Sequence, residues 1–272
     1  MKFGRLGTEL KHGYNAMTTR ESDMLMDIGY QVMDANEIIE LEDPFQESAI
    51  VILTGEVEIS WDDKKELMHR ESLVDENPFC LQVPRAKKVW IKAKVDSELL
   101  IQKTMNDRDF APVFYRPEDV QCDIFGQGLW NATAERTVRT IFDYSNAPFS
   151  NQVNGEVINS PGRWSGYIPH NHPQPEVYTY KFDKPQGFGA AFIGDNAFKI
   201  THNSWSEISG GLMHPQVTAP GYAMWYSWMI RHLPDEQGGP WKKTRTDLPE
   251  HTWLLDHFPG HNLLRDLPRA AE

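Results

Sequence analysis

The amino-acid sequence predicts an all-β fold arranged as two successive β-barrels or sandwiches. Short apolar or alternating runs recur through the 272 residues, and Gly, Pro, Asn and Asp punctuate them at intervals that suit strands better than helices. A charged, proline-bearing stretch, NDRDFAPVFYRPEDV at 106–120, divides the chain into halves of similar size. The expected units are an N-terminal domain over 1–110 and a C-terminal domain over 111–272, with the functional residues in the second.

In chain order, strands are expected at 49–53 and 56–61, where ILTGEVEI passes from an apolar run to an alternating one through Gly55. Others are expected at 79–83, stopped by Pro84, and at 88–95. In the second half the runs are 138–142, 176–182, 189–193, 197–201 and 222–230. Helical patterns are confined to 19–33 and 250–257. Asn131, Asp195 and Asn196 suit turns or strand ends, and Gly210-Gly211 suits a tight turn before a His214 strand.

Acidic residues outnumber Lys and Arg by 39 to 27, giving a formal net charge of −12, and no sustained basic run offers a phosphate-binding face. Nucleic acid is therefore excluded as a partner. MKFGRLGTELKHGY lacks an apolar signal core, and no segment approaches the length of a membrane span, so a cytoplasmic protein without membrane contact is expected. Cys80 and Cys122 stand apart from any CxxC pattern and are expected as buried thiols. No dinucleotide or P-loop motif is present; GFG at 187–189 opens no helix.

The chemistry concentrates in His170-Asn171-His172 and Glu176, with His214 about forty residues later. On a strand, alternate residues share a face, so both imidazoles and Glu176 point one way and His214 arrives from a neighbouring strand. Three neutral imidazoles and one carboxylate suit a single divalent metal, Zn or Mn first and Fe, Co or Ni as alternatives. His69 stands alone in the first half, which is expected to be structural and metal-free. His232, His251, His257 and His261 show no ligand spacing, although His251 is close enough to a closing motif to reach the pocket.

GRWSGYIPHNHPQPEVYTYKF at 162–182 and GLMHPQVTAPGYAMWYSWMI at 211–230 resemble the bacterial 5-deoxy-glucuronate isomerases of myo-inositol catabolism. That family is related to 4-deoxy-L-threo-5-hexosulose-uronate ketol-isomerase. Trp164, Ser165, Tyr167 and Pro169 match the stretch before the family's paired histidines, and its metal ligands fall on His170, His172, Glu176 and His214. YRPEDVQCDIFGQG and DLPEHTW are similar to the approach to the family's second barrel and to its closing segment. GLMHP departs from a glycine-tyrosine-histidine-proline run, and Trp228-Met-Ile-Arg231 departs from the usual strand end.

The resemblance implies a bicupin that interconverts an aldose and a ketose, 5-deoxy-D-glucuronate and 5-dehydro-2-deoxy-D-gluconate, through an enediol. Glu176, Tyr178, Tyr180, Glu207 and His202 are the candidate bases, and Arg163 or Arg136 the candidate partner of the substrate carboxylate. Trp164, Tyr167, Tyr222, Trp225 and Tyr226 would shape the cavity, Trp225 with the opposite strand parity from Tyr226. A homodimer or larger homo-oligomer is expected, with Trp90, Trp228 and Trp241 as contact candidates. Three alternatives use the same residues: an isomerase of another uronate, an Fe(II)-dependent oxygenase, and a non-catalytic sugar-binding cupin.

Overall fold

Strands built from these alternating runs account for nearly all regular structure in the computed structural model, which describes residues 1–256. The first half forms β1 (Lys2–Arg5), β2 (Gly13–Thr18), β3 (Met26–Met33), β4 (Ile38–Leu41), β5 (Gln46–Trp61), β6 (Lys64–Arg70), β7 (Cys80–Val83), β8 (Val89–Ala93), β9 (Ser97–Met105) and β10 (Val113–Tyr115). The second forms β11 (Gln121–Phe125), β12 (Arg136–Phe142), β13 (Gln152–Asn159), β14 (Trp164–Ser165), β15 (His170–Asn171) and β16 (Glu176–Phe182). It continues with β17 (Phe188–Ile193), β18 (Asn196–Thr201), β19 (Ser204–Ile208), β20 (Gln216–Thr218), β21 (Met224–Arg231) and β22 (Thr246–Asp247). Among the described residues the helical turns are short 3-10 segments, and no helix is long and apolar enough to cross a membrane.

Each strand run read from the sequence overlaps a strand, although Phe79, Lys88, Lys94, Val95, Tyr222 and Ala223 fall outside β7, β8 and β21. The segments 49–53 and 56–61 are one long β5, which slips register between Ile52 and Thr54 and bends at Gly55, where φ is +96°. That bend lets β5 pair with β7 and β9 at one end and with β6 and β8 at the other. The helix expected at 19–33 is not formed. Its second part is β3, held between β2 and β9, and a Cβ on Gly29 would lie 2.5 Å from the Tyr14 ring. The cross-strand contacts of a central strand outweigh the weak helical periodicity. At the other end, Pro249–Asp256 forms 3-10 rather than α-helix, while His257 and His261 lie outside the described residues.

The pairings are antiparallel. A nine-stranded sheet takes in β2–β10, and a seven-stranded sheet runs β1-β19-β16-β21-β13-β12-β11. A four-stranded sheet, β14-β20-β17-β18, covers the latter, and β15 pairs with β22. Neither of the larger sheets closes on itself among the described residues, and the nine-stranded one branches at β5, which also pairs with β6 and β8. The first strand, β1, joins the sheet built otherwise from residues after 120, with Lys2 opposite Glu207.

Strand parity divides the core. Tyr178, Tyr180 and Phe182 of β16 face inward with Tyr226, Trp228 and Ile230, against Ala191, Ile193 and Ile200 of the covering sheet. Val177, Trp225 and Met229 face the first half and pack with Met26, Ile28, Tyr30 and Leu100. Buried polar groups fasten the same seam: Thr179 bonds to Tyr30, and Lys181 Nζ sits 2.6 Å from Glu98 Oε1. The interior of the first half is apolar, filled by Ile50, Ile52, Val57, Ile59, Leu81 and Ile91 among others. Cys80 is buried in the seam cluster instead, and burial pushes its thiol up; Cys122, against expectation, is exposed on the edge strand β11.

Candidate metal centre

The strand expected through HNHPQPE is interrupted. Pro173 and Pro175 cannot donate ladder hydrogen bonds, so β15 stops at Asn171 and β16 begins at Glu176, with His172 on the loop between them. His214 also lies on a loop, two residues before β20, rather than on a strand. The two loops are locked together. Gly211, at φ +85°, donates its N–H to the His172 carbonyl at 2.8 Å. Gly210 packs so closely on Pro173 that a Cβ would fall 1.9 Å from its carbonyl oxygen.

His172, Glu176 and His214 are buried, and their ligand atoms lie within 4.8 Å of one another. His172 Nε2 and His214 Nε2 each stand 3.2 Å from Glu176 Oε2. All three imidazoles are oriented alike: the Nδ1 atoms of His170, His172 and His214 approach the carbonyls of Ile168, Gln174 and Leu212 at 2.8, 3.0 and 2.9 Å. A carbonyl only accepts, so each Nδ1 carries the proton and each Nε2 keeps its lone pair. Burial holds His170 down to about 3 and lowers His214 as well, so protonated rings are disfavoured. Two lone pairs and a carboxylate oxygen at this separation repel unless a cation lies among them. The donor set therefore fits a divalent metal, with His170 next to His214 at a ring separation of 5.3 Å.

The cluster opens into a cavity of about 520 Å³. Its walls include Tyr178, Tyr226, Trp228 and Ile230 from β16 and β21, Arg136 from β12, Trp130 and Tyr167 from adjoining loops, and Trp241. Trp228 and Trp241, expected at a subunit surface, pack 5.5 Å apart in this wall, whereas Trp90 is partly exposed. Tyr178 is buried, and burial together with the Glu176 charge pushes its phenol well above the usual range. Arg136 stacks over Phe125 at 5.4 Å and donates to the Ala134 carbonyl at 3.0 Å.

Of the candidate bases, Glu176 and Tyr178 line this cavity; Tyr180, Glu207 and His202 do not. Tyr180 lies deeper and bonds to Ser206 Oγ at 3.0 Å and Gln216 Oε1 at 2.9 Å. Glu207 pairs with Val177, whose side chain faces away from the cavity. His202 Nδ1 accepts the Phe182 N–H at 3.1 Å in the β18–β19 turn, and burial lowers it to about 4. Arg163, in the loop between β13 and β14, and His251, in the 3-10 segment Pro249–Asp256, are outside the wall too. His232 Nδ1 accepts the Trp241 N–H at 2.9 Å and so anchors the segment that crosses the cavity.

Sequence reasoning missed Asp123, Lys243 and Arg245, which also line it. Lys243 and Arg245 lie just before β22, which pairs with the distant β15, Asp123 comes from β11 beside β12, and nothing local in their sequence marks them.

Fold and cluster together define a β-sheet protein with a buried His/His/Glu site suited to a divalent metal. The chain belongs to the KduI/IolB family, whose sequence pattern it matches over residues 6–254. It is 24% identical over 271 residues to a 5-deoxy-glucuronate isomerase from Bacillus velezensis, covering 91% of this chain and 96% of that one. The same identity holds over 270 residues with the 5-deoxy-glucuronate isomerase of Bacillus subtilis strain 168, covering 92% and 94%. Among solved structures, an IolB-like protein from Salmonella typhimurium LT2 superposes with a TM-score of 0.79 at 19% identity, covering 90% of this chain and 96% of the other. An oxalate decarboxylase from Lactobacillus farciminis gives 0.63 at 11% identity, covering 97% and 91%, which is a likeness of fold alone.

Proposed function

We propose that this chain is a bicupin isomerase that converts 5-deoxy-D-glucuronate to 5-dehydro-2-deoxy-D-gluconate through an enediol, with the metal site in the second half and a structural first half. One observation carries the reading: Nε2 lone pairs and the Glu176 carboxylate converge at the wall of a cavity that also presents a protonated phenol and a guanidinium. The names of the curated relatives supply the substrate.

His172, Glu176 and His214 would hold the metal, with His170 as the fourth ligand. A bound divalent cation would supply Lewis-acid stabilisation to the negative charge that develops on the sugar's C1 and C2 oxygens. Glu176 turns Oε2 toward both imidazoles, so Oε1 is the carboxylate oxygen left to take the C2 proton. Tyr178, kept as a phenol, serves as hydrogen-bond donor and proton source rather than as base. Arg136 offers its guanidinium to the substrate carboxylate. The aromatic wall of Trp130, Tyr226 and Trp228 displaces water, which strengthens each of these interactions.

The test is an anaerobic incubation of metal-reconstituted protein with 5-deoxy-D-glucuronate in deuterated water, followed by NMR. Ketose formation with deuterium incorporation, lost in His214→Ala, supports the reading. Absence of both product and exchange at verified metal occupancy refutes it.

A further inference from the structure

Three cationic side chains, Arg136, Lys243 and Arg245, line the cavity against two carboxylates, Asp123 and Glu176, in a chain whose formal net charge is −12. Lys243 Nζ stands 3.2 Å from Asp143 and Arg245 Nε 2.9 Å from Asp247, so Arg136 is the lining cation without a carboxylate among the described residues, and a bound divalent cation would add to its attraction for an anion. Arg136 makes the point sharply. Elsewhere, buried Arg70 and Arg139 share Glu156, but among the described residues Arg136 has carbonyl and ring partners and no carboxylate. A half-buried guanidinium without an acid carries an uncompensated desolvation cost, which an incoming anion relieves.

Arg245 is placed to share the anion. It directly precedes β22, in which Asp247 pairs with His170 and Thr246 with Asn171. Arg245 and His170 both line the cavity. Arg245 Nε lies 2.9 Å from Asp247 Oδ1, outside the cavity wall, and its terminal nitrogens make no hydrogen bond among the described residues.

We propose that Arg245 and Arg136 form a two-armed carboxylate clamp beside the histidine cluster, which makes Arg245 the residue that selects a sugar acid over a neutral sugar. The assignment rests on the isomerase reading for its substrate class, while the clamp itself is testable by binding. D-Glucuronate and D-glucose differ only in carboxylate against hydroxymethyl at C6, so titration calorimetry of the metal-loaded protein with both sugars, alongside metal analysis, reads the clamp directly.

The wild-type chain is expected to prefer glucuronate, and Arg245→Ala to weaken glucuronate binding by roughly tenfold or more with metal content unchanged. Arg245→Lys should restore part of the preference, since a point charge replaces the planar fork. A wild-type chain without preference overturns the clamp, as does an Arg245→Ala variant that keeps the full preference. Loss of metal in both variants also overturns it, by making Arg245 a support for β22 and β15. A chain that shows the clamp behaviour yet never isomerises a uronate refutes the isomerase reading and leaves the clamp standing.

Discussion

Glu176 Oε2 stands 3.2 Å from His214 Nε2, and that nitrogen has no proton to offer because the Leu212 carbonyl already holds the ring's N–H at Nδ1. A cation is what reconciles the two atoms. Glu176→Gln and His214→Ala should each lower metal content by at least roughly tenfold, since the ligand set loses its only charge or one of its convergent lone pairs. His170→Ala should lose less, because His172, Glu176 and His214 already bring their ligand atoms within 4.8 Å of one another. Metal analysis after dialysis against a weak chelator gives the order directly.

Tyr178→Phe removes one oxygen from the cavity wall and none of the metal-ligating atoms. Metal content should match the parent chain, while isomerisation of 5-deoxy-D-glucuronate should fall by roughly a hundredfold if the phenol supplies a proton. Unchanged turnover would leave Tyr178 a packing residue.

Arg70 donates to both oxygens of Glu156, at 2.7 and 2.8 Å, across the seam between the halves, and Arg139 approaches the same carboxylate at 3.3 Å. Both members of the closer pair are buried, at 0% and 1% side-chain exposure. Glu156→Gln would leave two buried guanidinium groups without an anion and should destabilise the chain by about 3–5 kcal/mol. Urea unfolding read by tryptophan fluorescence measures it.

Glu47 is fully buried at the same seam and accepts from Asn106 Nδ2, Ser150 Oγ and the Asn151 N–H. Burial raises its pKa from 4.5 to about 7, with those donors acting in the opposite sense. The folded chain keeps this proton up to near pH 7, whereas the unfolded chain releases it near 4.5. Between those values the unfolded state binds fewer protons, so this group's contribution makes stability fall as pH rises and then level off, by about 3 kcal/mol in all. Glu47→Gln should remove that slope, whatever its effect on absolute stability. Denaturant midpoints measured from pH 4.5 to 7.5 give the comparison.

Much of the fold was legible because cores facing one side impose a period of two. The runs at 176–182 and 222–230 alternate between cavity and seam, and Trp225 and Tyr226 divide between the two as parity requires. β13 was not legible. All eight of its residues are buried, yet with Gln152, Asn154, Glu156 and Asn159 in it no apolar run marks it as a strand. Its polar groups meet partners from the other half, such as Gln102 Oε1 at 2.8 Å from Asn154 Nδ2, and no local pattern announces a distant partner. The candidate site divides the same way. Its histidines and Glu176 declare themselves by chemistry and spacing, whereas Arg245 depends on a two-residue strand seventy-odd positions after its partner.

Lys2 pairs with Glu207, and that single edge strand has a consequence in time. Residues 2–5 are synthesised well before residues 204–207, and their place beside β19 exists only once those have been made. The sheet that carries Glu176 therefore cannot be finished in the order in which it is translated. Its opening strand must wait, unpaired, through the making of about two hundred residues. Completing the sheet that carries Glu176 thus requires the return of a segment made far earlier, a closure between distant partners of the kind that slows folding.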